Sequence, residues 1–166
     1  MDMIQPSTSK AWVLEQLAGY QAIVGNDIGI AGMPGFGVGV CPSASLPSGF
    51  TPLSGYSSLT SDNYGNYQFS DGSIMVYIPK FYYKIGTGSN GLDTNVIDVK
   101  ASSAYTDTAT ANTAGYALHR AFIDGGSEQD GFFVDKYKAS KNALGAGYVA
   151  SSIASGAPIS TAATHN

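Results

Sequence analysis

The chain has 166 residues, enough for one ordinary domain with its own core, and only 12% of them are charged, against about 25% in soluble domains at large. Apolar residues make up 43%, so the surface is either uncharged polar or covered by partners. A formal charge of −4, with Lys80, Lys84, Lys100, Arg120, Lys136, Lys138 and Lys141 dispersed, argues against direct nucleic-acid binding, and the single cysteine, Cys41, excludes an internal disulfide or a multi-cysteine metal site.

The start, Met1-Asp2-Met3-Ile4-Gln5-Pro6, lacks the basic and apolar regions of a signal peptide, and no apolar run approaches the roughly 20 residues that span a bilayer. The expectation is therefore synthesis in the cytoplasm and no membrane insertion. Val13, Leu17, Tyr20 and Val24 fall at i, i+4, i+7 and i+11 after Ser7-Thr8-Ser9, which predicts a helix over about 8–24. Trp12 lies off that stripe and is a candidate for a second packing surface. From Gly25 to Gly55, repeated Gly and Pro forbid a long helix and predict extended chain ordered by contacts outside itself. Residues 1–55 thus read as a helix and an attachment arm, with Trp12, Phe36, Val38 and Phe50 expected to be buried between chains. Cys41, in Val40-Cys41-Pro42, reads as a small buried hydrophobe.

Residues 56–166 read as the body. Ser70-Asp71-Gly72-Ser73 predicts a turn before a strand at Ile74–Ile78, and Pro79 predicts a strand end or bulge before extended chain at Phe81–Ile85. A short strand is expected at Val96–Val99, a helix within 106–117 ending near Gly115, a strand over 118–124, a turn at Gly125-Gly126-Ser127 and a strand at 131–137. The end, Pro158 to Asn166, resembles the entry to a helix capped by Ser160, as if the chain continued. The fold class expected is α+β with a mainly antiparallel sheet, and Val76, Ile78, Phe122, Phe133 and Tyr137 in the core.

Four motifs invite chemistry. Gly35-Phe36-Gly37-Val38-Gly39 lacks the strand, helix and acidic residue of a nucleotide fold and reads as extended chain closely approached by another segment. Ser61-Asp62-Asn63-Tyr64-Gly65-Asn66 carries oxygen ligands but no closing bidentate Glu, and a turn held by its own side chains accounts for it. His119-Arg120 beside Asp124, Glu128 and Asp130 is the best case for an acid–base or metal site, yet an ion pair of Arg120 with Asp124 accounts for these residues without chemistry. No catalytic, cofactor or metal residue is assigned, and no enzyme activity is expected. The eleven tyrosines are the more specific signal: Tyr64, Tyr67 and Tyr82 are expected to face a ligand or another subunit.

Three segments carry a resemblance: Asp71 to Lys84 with its internal Pro79, Gly115 to Phe122 with His119-Arg120, and Asp130 to Tyr137 with Gly131-Phe132-Phe133. In this order they resemble a family of tailed-bacteriophage structural proteins, often called tail or fibre proteins, over roughly residues 35–166. The last segment is also similar to the opening strand of C-type-lectin-like domains of the formylglycine-generating and phage receptor-binding type. The resemblance implies a lectin-like body, incomplete at its C-terminal end, in a tail, fibre or head-decoration protein of a virion. It carries over no catalytic residue, since the paired cysteines of the oxidising enzymes are missing. The partners implied are other copies of the chain, a trimer by analogy with fibres, and other virion proteins. The alternative is a carbohydrate- or receptor-binding module that contacts a host surface glycan or receptor. Packing around Trp12, Phe36 and the central tyrosines is expected to hold copies together more than ion pairs do.

Overall fold

A computed structural model describes residues 27–30, 33, 35–86, 97–145 and 147–157. The helix expected over 8–24, Trp12 and the terminal helix expected from Ser160 lie outside the described residues. Within them the strand pairings are all antiparallel. One four-stranded sheet has the order β1 (Phe50–Pro52), β2 (Asn66–Phe69), β3 (Ile74–Pro79), β9 (Gly131–Asp135). A three-stranded sheet has the order β5 (Ile97–Ala101), β4 (Phe81–Ile85), β6 (Ala117–Leu118). Two small hairpins complete the strands: β7 (Ile123–Asp124) with β8 (Ser127–Glu128), and β10 (Ala139–Leu144) with β11 (Gly147–Ser152).

Pro79 is the point where the chain changes sheets. It ends β3 opposite Gly131, and Lys80 N–H then bonds to the Asp130 carbonyl at 2.7 Å before β4 begins. A residue without an N–H costs nothing at such a junction, which is why the predicted break falls there.

Two aromatic clusters form the interior, and the pair Phe132-Phe133 on β9 serves both. Successive strand residues point to opposite faces. Phe133 accordingly meets Phe50 at 4.3 Å, Tyr67 at 5.3 Å and Tyr77 at 5.2 Å, while Phe132 meets Phe122 at 5.2 Å on the other side. Phe122 in turn lies edge-on to Phe81 at 5.1 Å.

The expected core is corrected in part. Phe122 is fully enclosed, but on β3 the buried residues are Tyr77 and Pro79, and Val76 and Ile78 on the opposite face are only half-buried. The larger rings take the inner face, and the alternation follows them. Phe133 is half-buried within its ring cluster, and Tyr137, beyond the end of β9, is half-buried as well.

The strand expected over 118–124 is also corrected. His119 Nδ1 accepts a hydrogen bond from Ala121 N–H at 3.2 Å, turning Arg120–Phe122 into a single 3-10 turn that swings Phe122 inward. The expected helix is present as α1 (Thr108–Thr113), started by Asp107, whose Oδ1 accepts from Thr110 N–H at 2.7 Å, and followed by Gly115 at φ +84°. The expected turn at Gly125-Gly126 is the tight loop of the β7–β8 hairpin, both glycines having positive φ.

Described residues between Ile28 and Gly55 bond to the strands that follow them. Gly39 N–H bonds to the Tyr77 carbonyl, Cys41 N–H donates to Tyr67 Oη at 2.8 Å, and β1 pairs with β2. Phe50, expected between chains, stacks inside on Phe133 and Phe69, and Val38 is half-buried against Gly65. Phe36 is 40% exposed.

Phe122→Ala removes the one phenylalanine with no exposed surface, and we expect a loss of about 3–5 kcal/mol in urea unfolding. A loss under about 1 kcal/mol would place the second cluster outside the cooperative core.

Candidate interaction surfaces

Two surfaces stand apart from the aromatic interior. The first is the β10–β11 hairpin, whose two-residue loop begins with Gly145 at φ +60°. Its strands run in full register from Ala139↔Ser152 to Leu144↔Gly147, yet only Ser140, Ser151 and Ser152, all toward its base, are buried. Toward the tip, Tyr148 is 67% exposed, Leu144 51% and Val149 36%. Lys141 Nζ lies 3.7 Å from the centre of the Tyr148 ring, so a cation and an aromatic face are presented together.

The base is fastened by hydroxyls instead of apolar packing. Ser151 Oγ donates to Asp71 Oδ2 at 2.9 Å, Ser73 Oγ to the same oxygen at 3.1 Å, and Asn142 Nδ2 to the Asp71 carbonyl at 2.6 Å. Ser152 closes the seam, its Oγ donating to the Ile74 carbonyl at 2.8 Å while its N–H donates to Ser73 Oγ at 3.1 Å. Burial pushes the Asp71 carboxyl up. The Ser73 N–H and the Ser73 and Ser151 hydroxyls outweigh that and hold it below the ordinary value of 3.8.

The second surface is a pair of adjoining clefts of about 550 and 370 Å³ that share Glu128 and Asp130. Asp124 adds a third carboxylate to the larger cleft, and Asp27 and Asp107 stand in the smaller; Lys80 is the cation among the lining residues of the two. Glu128 is placed by Lys80 at 3.4 Å and by the Thr108 hydroxyl at 2.5 Å, and Asp130 accepts from Ser45 Oγ at 2.7 Å. Phe132, Ile123 and Pro47 give the larger cleft an apolar side. Tyr77 also lines it, 2% exposed, its hydroxyl turned inward beside the Cys41 thiol.

The residues singled out from the sequence fall differently. Tyr67 and Tyr82 are each 1% exposed and Tyr64 is 9% exposed, and of the three only Tyr82 borders a cleft, the smaller one. Each is spent on the interior: Tyr67 accepts from Cys41 N–H, and Tyr82 Oη lies 3.1 Å from Thr108 Oγ1. Burial pushes Tyr67 up to about 12 and the Cys41 thiol up to about 11, leaving Cys41 a protonated core residue. His119 packs against Phe81 and Tyr83 and lines neither cleft. The ion pairs among the described residues are Lys80–Glu128 and Lys100–Asp98, so the expected pairing of Arg120 with Asp124 is not made.

Among the described residues no group of three or more His, Cys, Asp or Glu side chains is placed to hold a metal ion. In Ser61–Asn66 the side chains serve their own backbone, Ser61 Oγ accepting from Asn63 N–H and Asn66 Nδ2 donating to the Asp62 carbonyl. Gly39 and Gly65 sit where a Cβ would strike Pro79, Val38 and neighbouring carbonyls, which is the close approach that the glycine-rich segment suggested. Compared with protein-family models, curated proteins and solved structures, the chain matches none of them.

Asp71→Ala strands the Ser73 and Ser151 hydroxyls and should cost about 1–3 kcal/mol at neutral pH, read as a lower thermal midpoint. A carboxyl depressed on folding contributes fully above its unfolded value and loses that contribution as pH falls through its folded value. The gap between wild type and variant should therefore narrow as pH falls below 3.8, and a constant gap down to strongly acidic pH would deny Asp71 this role.

Proposed function

We propose that this chain is a structural component of a bacteriophage virion, a tail, fibre or head-decoration protein with a C-type-lectin-like body, which works by protein–protein assembly and not by catalysis. The observation that carries the reading is the hairpin β10–β11. An isolated two-stranded hairpin is marginal in water, and this one holds Leu144, Tyr148 and Val149 out in solvent with a polar seam only at its base. Exposed apolar side chains gathered on one element are the mark of a surface completed by another chain. Ile85 and Ile97, paired in β4 and β5, are 47% and 63% exposed and add to the uncovered area.

The virion assignment rests on the resemblance, and the fold supports it in one respect. The three segments that carry it are not scattered. Asp71 to Lys84 supplies β3 and β4, Gly115 to Phe122 supplies β6 and the following turn, and Asp130 to Tyr137 supplies β9. They meet as β3–β9 and β4–β6 pairs and through Phe81, Phe122 and Phe132. A glycan- or receptor-binding role loses the tyrosines it was expected to use, since they face inward.

We expect the intact chain to sediment as a homo-oligomer, a trimer by the analogy above, and Leu144→Ser with Tyr148→Ser to weaken association about tenfold or more without changing the circular dichroism. A wild-type chain that stays monomeric at high concentration would count against the reading, and its absence from the peptides of purified particles would count against the virion.

A further inference from the structure

Charge is segregated along this chain. Residues 136–157, which hold the whole hairpin, contain Lys136, Lys138 and Lys141 and no Asp or Glu. The two clefts carry Asp27, Asp107, Asp124, Glu128 and Asp130 against Lys80. A basic projection and an acidic recess on one molecule are complementary in sign.

They do not meet within one copy. The β3–β9 ladder runs from Met75↔Asp135 to Pro79↔Gly131. The hairpin is latched beyond the first end, through Asp71, Ser73 and Ile74, and the larger cleft opens at the other, around Asp130 and Gly131. Five residues of strand separate them by about 14 Å. No residue of 136–157 lines either cleft.

We infer that the hairpin of one copy docks in the acidic cleft of the next, head to tail. The inference rests on the assembly reading above and names its interface. Lys138 and Lys141 meet Asp124, Glu128 and Asp130, while Tyr148 and Leu144 lie on the apolar side formed by Ile123, Pro47 and Phe132. Because the two surfaces differ, the contact is heterologous, and it closes into a ring or propagates as a filament depending on the rotation between copies.

Charge reversal separates this interface from any other. Lys138→Glu with Lys141→Glu places carboxylates opposite carboxylates, and Asp124→Lys with Asp130→Lys places lysines opposite lysines. Neither pair touches the hydroxyl latch. By sedimentation at moderate salt, each pair should weaken self-association about tenfold or more, and the chain carrying all four changes should recover it to within about threefold of wild type. Either pair leaving association unchanged, or the fourfold variant remaining dissociated, would overturn the head-to-tail interface. If wild type associates and the reversals do nothing, assembly stands and this interface falls; if wild type never associates, the assembly reading falls first. A saccharide that bound the cleft and left the oligomer intact would likewise overturn the proposal by showing the cleft free.

Discussion

Residue 131 has to be glycine, and much of the fold depends on it. A Cβ at that position would strike the Tyr77 hydroxyl end and the Ile78 carbonyl, so only a bare backbone lets β9 lie against the end of β3. Once β9 is seated, Phe133 completes the cluster of Phe50, Tyr67 and Tyr77 on one face, and Phe132 completes that of Phe81 and Phe122 on the other. The same ladder sets the distance between the two surfaces that face outward. At its Asp135 end it hands the chain to the hairpin, and at its Gly131 end it opens the cleft.

The two ends use different chemistry for a physical reason. The hairpin base is joined by Ser73, Ser140, Ser151 and Ser152, small side chains that lose little rotamer freedom and whose buried hydroxyls are matched with carbonyls or with Asp71. That seam fixes direction without consuming apolar groups, which are left for Leu144, Tyr148 and Val149 at the tip. The cleft is the reverse case, with carboxylates positioned by Ser45, Thr108 and Lys80 on a wall backed by Phe132. With so few charges in the chain, their sorting into a basic arm and an acidic recess gives each surface a definite sign.

The parts legible in the sequence were those with strong local chemistry. Gly115 ends the helix, Pro79 marks the end of a strand, and Gly125-Gly126 gives a tight turn, all from single-residue preferences. What failed depended on side chains meeting at long range. His119 reads as part of a strand because nothing local shows its ring capping Ala121. The tyrosines looked like an outer surface because their number says nothing of direction, and the partners that turn them inward, Cys41 for Tyr67 and Thr108 for Tyr82, lie 26 residues away in each case. The β10–β11 hairpin was missed because Ala-Ser-Lys-Asn-Ala-Leu and Gly-Tyr-Val-Ala-Ser-Ser lack the alternation of a half-buried strand. That silence has the same origin as its exposure, since strands joined to the rest of the chain by a polar seam at their base have no apolar inner face to encode. The acidic cleft shared the fate of the tyrosines: Glu128 and Asp130 were noted beside His119, but the topology groups them with Asp27 and Asp107 instead.

The most direct measurement is zero-length carbodiimide cross-linking of a mixture of unlabelled and 15N-labelled chain, read by mass spectrometry. The account predicts mixed-isotope links joining Lys138 or Lys141 of one copy to Asp124, Glu128 or Asp130 of another. Links between these residues found only within a single copy, or mixed-isotope links that leave both the hairpin and the cleft out, would contradict it.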